Sequence, residues 1–194
     1  MQNNPKKYEV LESLPSNGPM YIPIAENGEK FYQEGFVVRF FKSNGEDWVA
    51  NFKPGWTDLT FITELPENEI LIIAKGMGYI MNPDNETPIS TFGISIRHIY
   101  NIGNDEYIAF DDTHAEIINK QGVKWTSDRI SWDGIEEIVI KNEIVYGKSY
   151  EPMSIEGNWI DFELDLKTQT LKGGSYNLYE VIQEPKRKWW QFWK

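Results

Sequence analysis

Cysteine is absent from the 194 residues, which excludes disulfides, thiolate metal sites and cysteine nucleophiles. Histidine occurs only twice, at His98 and His114. No apolar run reaches the length of a membrane-spanning helix. Apolar spacing of three and four never persists over the dozen residues that an amphipathic surface helix needs. The segment Met1–Lys7 is basic, but no apolar stretch follows it, so a secretory leader is not expected and a cytoplasmic setting is.

Aromatic residues are plentiful, with eight Trp, ten Tyr and ten Phe. Together with the length, they allow one domain to build a sizeable core without staples. The net charge is −11. Four of the 19 basic residues (Lys186, Arg187, Lys188, Lys194) and none of the 30 acids lie after Pro185, so residues 1–185 carry 15 basic against 30 acidic groups, or −15. Such a body repels nucleic-acid phosphates and attracts cationic partners.

Short β-rich runs dominate. Asn68-Glu69, Asp105-Glu106 and Asn142-Glu143 each precede one, at intervals of 37 residues. Fixed spacing of this kind signals a repeat. Phe36–Phe41 and Trp48–Phe52 flank Ser43-Asn44-Gly45 as a hairpin. A similar Gly…Trp pattern at Gly45/Trp48 and Gly122/Trp125 recurs 77 residues apart, as two tryptophans do at Trp56 and Trp132 in approximate register. A 37-residue unit holds about four short strands, the size of a propeller blade. The expected fold is therefore all-β, a small repeat meander forming a four-bladed propeller-like array, with a two-sheet sandwich or barrel as the alternative. The expected organisation is an N-terminal extension over 1–35, a single all-β domain of about four units over 36–183 and a basic aromatic tail over 184–194.

Several motifs dissolve under their own chemistry. Tyr146-Gly147-Lys148-Ser149 has the ending of a phosphate-binding loop, but the first glycine is replaced by Asn142 and Pro152 blocks the helix that must follow. Gly76-Met77-Gly78 is too short for a dinucleotide fingerprint and reads as a turn or bulge. Asp111, Asp112 and His114 lack a diagnostic metal-ligand spacing and read as a capped turn. Asn85-Glu86-Thr87 matches a glycosylation acceptor, but in a chain with no expected leader it is a polar loop. No catalytic residue, cofactor or metal ligand is assigned.

Two segments are better candidates for recognition. In Trp159–Leu166 the apolar Ile160, Phe162, Leu164 and Leu166 alternate with Trp159, Asp161, Glu163 and Asp165, as in a strand with one buried and one open face. Successive acids on such a strand lie about 6.7 Å apart. That suits an acidic docking stripe anchored by Trp159, and, as a lesser alternative, a carboxylate pair in a carbohydrate-active enzyme. The second candidate is the tail, where Lys186, Arg187 and Lys188 precede Trp189, Trp190, Phe192 and Trp193. Cations beside tryptophans suit a partner protein, the acidic body itself, or weak contact with an anionic membrane surface.

Arg129-Ile130-Ser131-Trp132-Asp133-Gly134, followed by Tyr150-Glu151-Pro152 and Gly173-Gly174-Ser175-Tyr176, resembles the pattern of an uncharacterised family of small bacterial all-β, propeller-like proteins, over roughly residues 36–176. The resemblance implies a bacterial source and supplies no catalytic residue. From the residues themselves, the leading expectation is a non-enzymatic binding protein whose acidic surface engages a basic protein partner, for example as an inhibitor or immunity protein. A peripheral membrane protein held by its tail and a carbohydrate-active or metal-dependent enzyme are the alternatives.

Overall fold

The run Ile70–Ala74 has no polar face, and the computed structural model shows why. Its strand lies in a sheet covered on both sides. The structure describes residues 6–18, 20–153 and 155–176. These form sixteen strands in four four-stranded sheets, with two short 3-10 turns between strands. The chain divides into two compact units, residues 1–111 with 116–126, and residues 112–115 with 127–194.

In the first unit, sheet 1 contains β1 (Tyr8–Leu11), β2 (Ile22–Ile24), β3 (Phe36–Phe41) and β4 (Asp47–Phe52), in the order β1-β3-β4-β2. Sheet 2 is a simple meander of β5 (Phe61–Glu64), β6 (Ile70–Ala74), β7 (Met77–Met81) and β8 (Ser90–Phe92). Sheet 3 repeats the meander with β9 (His98–Gly103), β10 (Glu106–Phe110), β11 (Ala115–Asn119) and β12 (Gly122–Thr126). The sequence therefore folds as expected into all-β, blade-like units.

Sheet 2 is the centre of this unit. One of its faces packs Ile70, Ile72, Ala74, Tyr79 and Met81 against Phe40, Trp48 and Phe52 of sheet 1. The other packs Leu71, Ile73 and Ile80 against Tyr107, Ala109 and Ile118 of sheet 3. Every residue of β6 and β7 is buried, which explains a continuous apolar run in place of alternation. At about 25 cal/mol per Å² of apolar surface removed from water, these two layers dominate the unit's stability.

The segment before residue 36, expected as an extension, supplies two strands to sheet 1. Strand β1 pairs antiparallel with β3, and β2 pairs parallel with β4. Ile24 is buried in the core, and Tyr8 and Ile22 pack against it. Pro23 is tolerated because β2 is an edge strand. Such short strands hold too few residues to display a period.

The 37-residue marker is a backbone feature. Glu67-Asn68, Asn104-Asp105 and Asn142-Glu143 are consecutive pairs with positive φ, between 51° and 66°. Each lies between the first and second strands of its sheet. Two consecutive left-handed residues match the twist of a tight hairpin, and Asn and Asp tolerate that conformation. The 77-residue match is different. Gly45 and Gly122 are both left-handed, but Trp48 lies on β4, the third strand across sheet 1, and Trp125 on β12, at the edge of sheet 3. The two turns are alike and their strands are not equivalent.

The second unit holds sheet 4, a meander of β13 (Ile135–Lys141), β14 (Ile144–Glu151), β15 (Asn158–Asp165) and β16 (Thr170–Gly173). Its inner face buries Val145, Phe162 and Leu164.

Candidate recognition face on sheet 4

Strand β15 alternates as its sequence requires, with Phe162 and Leu164 buried and Trp159, Asp161 and Glu163 exposed. The β14–β15 register sets Tyr150 opposite Trp159, Lys148 opposite Asp161, Tyr146 opposite Glu163 and Ile144 opposite Asp165. Because directly opposed side chains share a face, the four sequence-predicted residues stand together with these β14 neighbours.

A bulge between Glu136 and Val139 shapes the next strand. Glu137 at its centre has φ 52°, and its carboxylate accepts a hydrogen bond from Lys148 Nζ at 2.7 Å. That bond, followed by the attraction of Glu137 and then of Asp161, raises the Lys148 pKa. Lys148 therefore stays charged throughout the physiological range. Glu137, Tyr146, Gly147, Lys148, Asp161, Phe162 and Glu163 line a shallow depression of about 300 Å³. Beside it, Val139 and Tyr146 are an exposed apolar pair across the β13–β14 ladder.

Trp159 is 38% exposed and packs its ring against Tyr150, with centroids 5.3 Å apart. Gly134 lies beneath this pair, where a Cβ would come 3.5 Å from both the Trp159 and the Tyr150 side chains, and its φ of +127° favours glycine. Asp165 has another task. Its Oδ1 accepts the backbone N–H groups of Lys167 and Thr168, each at 2.9 Å. These bonds, the one from Thr168 foremost, lower its pKa. Of the predicted stripe, Asp165 is therefore a turn cap, and Trp159, Asp161 and Glu163 are the residues free of that duty.

The stripe is not purely acidic. Lys172 faces Glu163 across the β15–β16 ladder, and Lys141 stands opposite Ile144. Glu136, Glu137, Asp161, Glu163 and Asp165 thus share their side of the sheet with Lys141, Lys148 and Lys172. Reading β15 alone misses Glu137, Tyr146, Lys148 and Tyr150. The period-two pattern of β14, with Val145 buried and Tyr146 exposed, is the one signal that points to them.

The RISWDG…YEP…GGSY residues converge on one edge of the same unit. Ser131, Ser149 and Ser175 are fully buried. Ser131 Oγ donates to the Gly134 carbonyl at 2.7 Å, Ser175 Oγ to the Tyr150 carbonyl at 2.7 Å, and Ser149 Oγ accepts the Ser175 N–H at 2.8 Å. The Arg129 guanidinium lies over the Trp132 and Tyr176 rings, 5.5 and 4.8 Å from their centroids. It also donates to the carbonyls of Ser131 and Trp132. The motif is a clasp that joins the chain on either side of sheet 4, with the three buried serine hydroxyls and the Arg129 guanidinium each bonded to backbone carbonyls.

Other sequence candidates fall elsewhere. His114 Nδ1 is 2.8 Å from Thr113 Oγ1, and His98 stacks on Tyr100 at 6.5 Å. Among the described residues, no group of three or more His, Asp or Glu side chains is placed to hold a metal ion. No helix among them is long and apolar enough to cross a membrane. Lys186, Arg187, Lys188, Trp189, Trp190, Phe192 and Trp193 lie outside the described residues.

No protein-family model and no curated protein matches the sequence. Among solved structures, the chain is similar to the Pan2 WD40 domain of Neurospora crassa, at 11% identity and a TM-score of 0.40, over 62% of this chain and 37% of that one. It is also similar to the WD40 β-propeller domain of Doa1, at 13% identity and a TM-score of 0.40, over 73% of this chain and 50% of that one. The chain thus spans half or less of these chains.

Proposed function

We propose that this is a non-enzymatic binding protein that presents the outer face of sheet 4 to a basic protein partner. The observation that supports it best is the placement of exposed Trp159 on Tyr150 beside Asp161 and Glu163. Aromatic anchors flanked by charge are what binding hot spots are made of. The depression is shallow, and the exposed Val139 and Tyr146 extend the apolar strip. A flat, mixed strip of this kind suits a protein surface better than a small molecule, which seeks a deep concavity. The −15 charge of residues 1–185 would steer a cationic partner toward the protein and speed encounter. An inhibitor or immunity protein for a cationic toxin is the concrete form of this reading.

Surface plasmon resonance against a panel of cationic proteins tests it. For any protein that binds, Asp161→Lys with Glu163→Lys should weaken affinity by about tenfold or more. Reversing Glu12 and Asp58, exposed acids of the first unit, should act only through net charge, with a small and salt-sensitive effect. Equal losses from both pairs would refute a docking role for sheet 4.

A further inference from the structure

The outer face of sheet 4 combines exposed Trp159 packed on half-buried Tyr150, an exposed apolar strip and an excess of carboxylates. Residues 186–194 of the same chain hold the complementary set. They contain four cations (Lys186, Arg187, Lys188, Lys194), four aromatic rings (Trp189, Trp190, Phe192, Trp193) and no acid. We propose that this tail occupies the outer face of sheet 4 of its own chain and competes there with the basic partner. The inference rests on the reading of that face as a docking surface and adds its regulation.

The connectivity permits it. The chain leaves β16 beside the stripe, where Gly174 N–H donates to the Asp161 carbonyl at 3.1 Å. Nine residues, 177–185, then separate Tyr176 from Lys186, a reach of up to about 30 Å. A four-stranded face is about 15 Å across and an eight-residue strand about 26 Å long. Every part of the face is within reach. A tether this short gives an effective concentration in the millimolar range, so even a weak contact is populated.

Charge also decides between this face and an anionic lipid surface. Fewer than five tail cations would have to hold a body of −15 against a negative surface, at about 1 kcal/mol of attraction per basic residue. On sheet 4 the same cations meet carboxylates, and the tryptophans meet Trp159, Tyr150 and Tyr146. The contact stays exchangeable because the face also carries lysines, so a partner with more positive charge displaces the tail.

Zero-length carbodiimide cross-linking of the full chain, followed by mass spectrometry of the monomer, tests the proposal. Lys186, Lys188 or Lys194 should be joined chiefly to Asp161, Glu163, Glu136 or Glu137. Trp189→Ala with Trp190→Ala, which leaves every charge in place, should reduce those links several-fold. In parallel, binding of nona-arginine to the full chain should tighten several-fold when Lys186, Arg187 and Lys188 are changed to Glu. Links spread evenly over exposed acids such as Glu12 and Asp58, or found only in cross-linked dimers, would overturn the proposal. So would flotation of the full chain on anionic vesicles that depends on Trp189 and Trp190 in the absence of those links. The two readings separate cleanly. If nona-arginine requires Asp161 and Glu163 but ignores the tail variants, the docking face stands and the tail's role falls. If it ignores Asp161 and Glu163, the docking face itself falls.

Discussion

Lys148 stands directly across the ladder from Asp161 while its ammonium donates to Glu137 at 2.7 Å. One cation therefore sits in the middle of the acidic strip, held by a carboxylate on the bulged neighbouring strand. Lys148→Met removes it and leaves Glu137, Asp161 and Glu163 as an unbroken acidic group. The expected outcome is tighter binding of nona-arginine by about three- to tenfold at low salt, with a faster association rate and a steeper salt dependence. The thermal midpoint should hardly move, because an exposed ion pair contributes little to stability. Stopped-flow binding and melting curves check the two halves separately.

Gly147 faces Phe162 across the same ladder, and a Cβ on Gly147 would come 2.7 Å from the Phe162 ring and 3.3 Å from the Glu136 carbonyl. The ring is buried and has little room to yield. Gly147→Ala should therefore destabilise the second unit by about 1–3 kcal/mol, measured as a lower urea midpoint. Adding Phe162→Leu should recover part of the loss by vacating the space.

Ser149 Oγ is the acceptor for the buried Ser175 N–H. Ser149→Ala leaves that donor unpaired away from water, at a cost of about 1–3 kcal/mol. The clasp would loosen first at residues 173–176. Hydrogen exchange should show faster exchange of the Ser175 amide while the amides of β6 and β7 keep their protection.

The Glu116 carboxyl has its pKa raised, first by burial and then by the charge of Asp111. Its folded value therefore lies above its unfolded value, and the fold favours the protonated form. Above the folded value, ionised Glu116 subtracts from stability. As pH falls through that range and below the ordinary glutamate value, the penalty disappears. Glu116→Gln should melt above the parent at pH 7, with the difference closing toward pH 4, in paired thermal scans.

Much of the fold is legible because strands with one open face write their period into the chain. Residues 160–165 of β15 alternate apolar and acidic, so both the strand and the exposure of Asp161 and Glu163 follow from the sequence. The 37-residue spacing is readable for a related reason, since left-handed turns favour Asn, Asp and Gly, and four of the six residues in these pairs are Asn or Asp. It is less sharp than the fold beneath it. The left-handed pairs fall at 67–68, 104–105 and 142–143, so the third is displaced by one residue from strict register. Strands β1 and β2 escape a sequence reading because four and three residues cannot establish a pattern.

The candidate face on sheet 4 is only half legible in the sequence. A period of two tells which residues of β15 look outward, but it does not tell which strand lies alongside or at what register. Lys148, Tyr146 and Tyr150 join the face through the β14–β15 ladder, and Glu137 joins through a bulge that no pattern announces. Asp165 shows the converse. Its sequence position places it in the stripe, and two backbone N–H groups following it claim its carboxylate.

By itself, the sequence determined an all-β chain of repeated short strands, an acidic body without thiol chemistry, and one strand with an acidic, aromatic open side. Those properties are local or additive, set by side-chain period, turn chemistry and charge. Tertiary structure decided that sheet 2 is buried on both faces, that the RISWDG and GGSY segments close into one hydrogen-bonded clasp, and that a lysine interrupts the acidic strip. Each depends on residues far apart in the chain coming together. Sheet register and burial set those meetings, and neither is written in any single stretch of sequence.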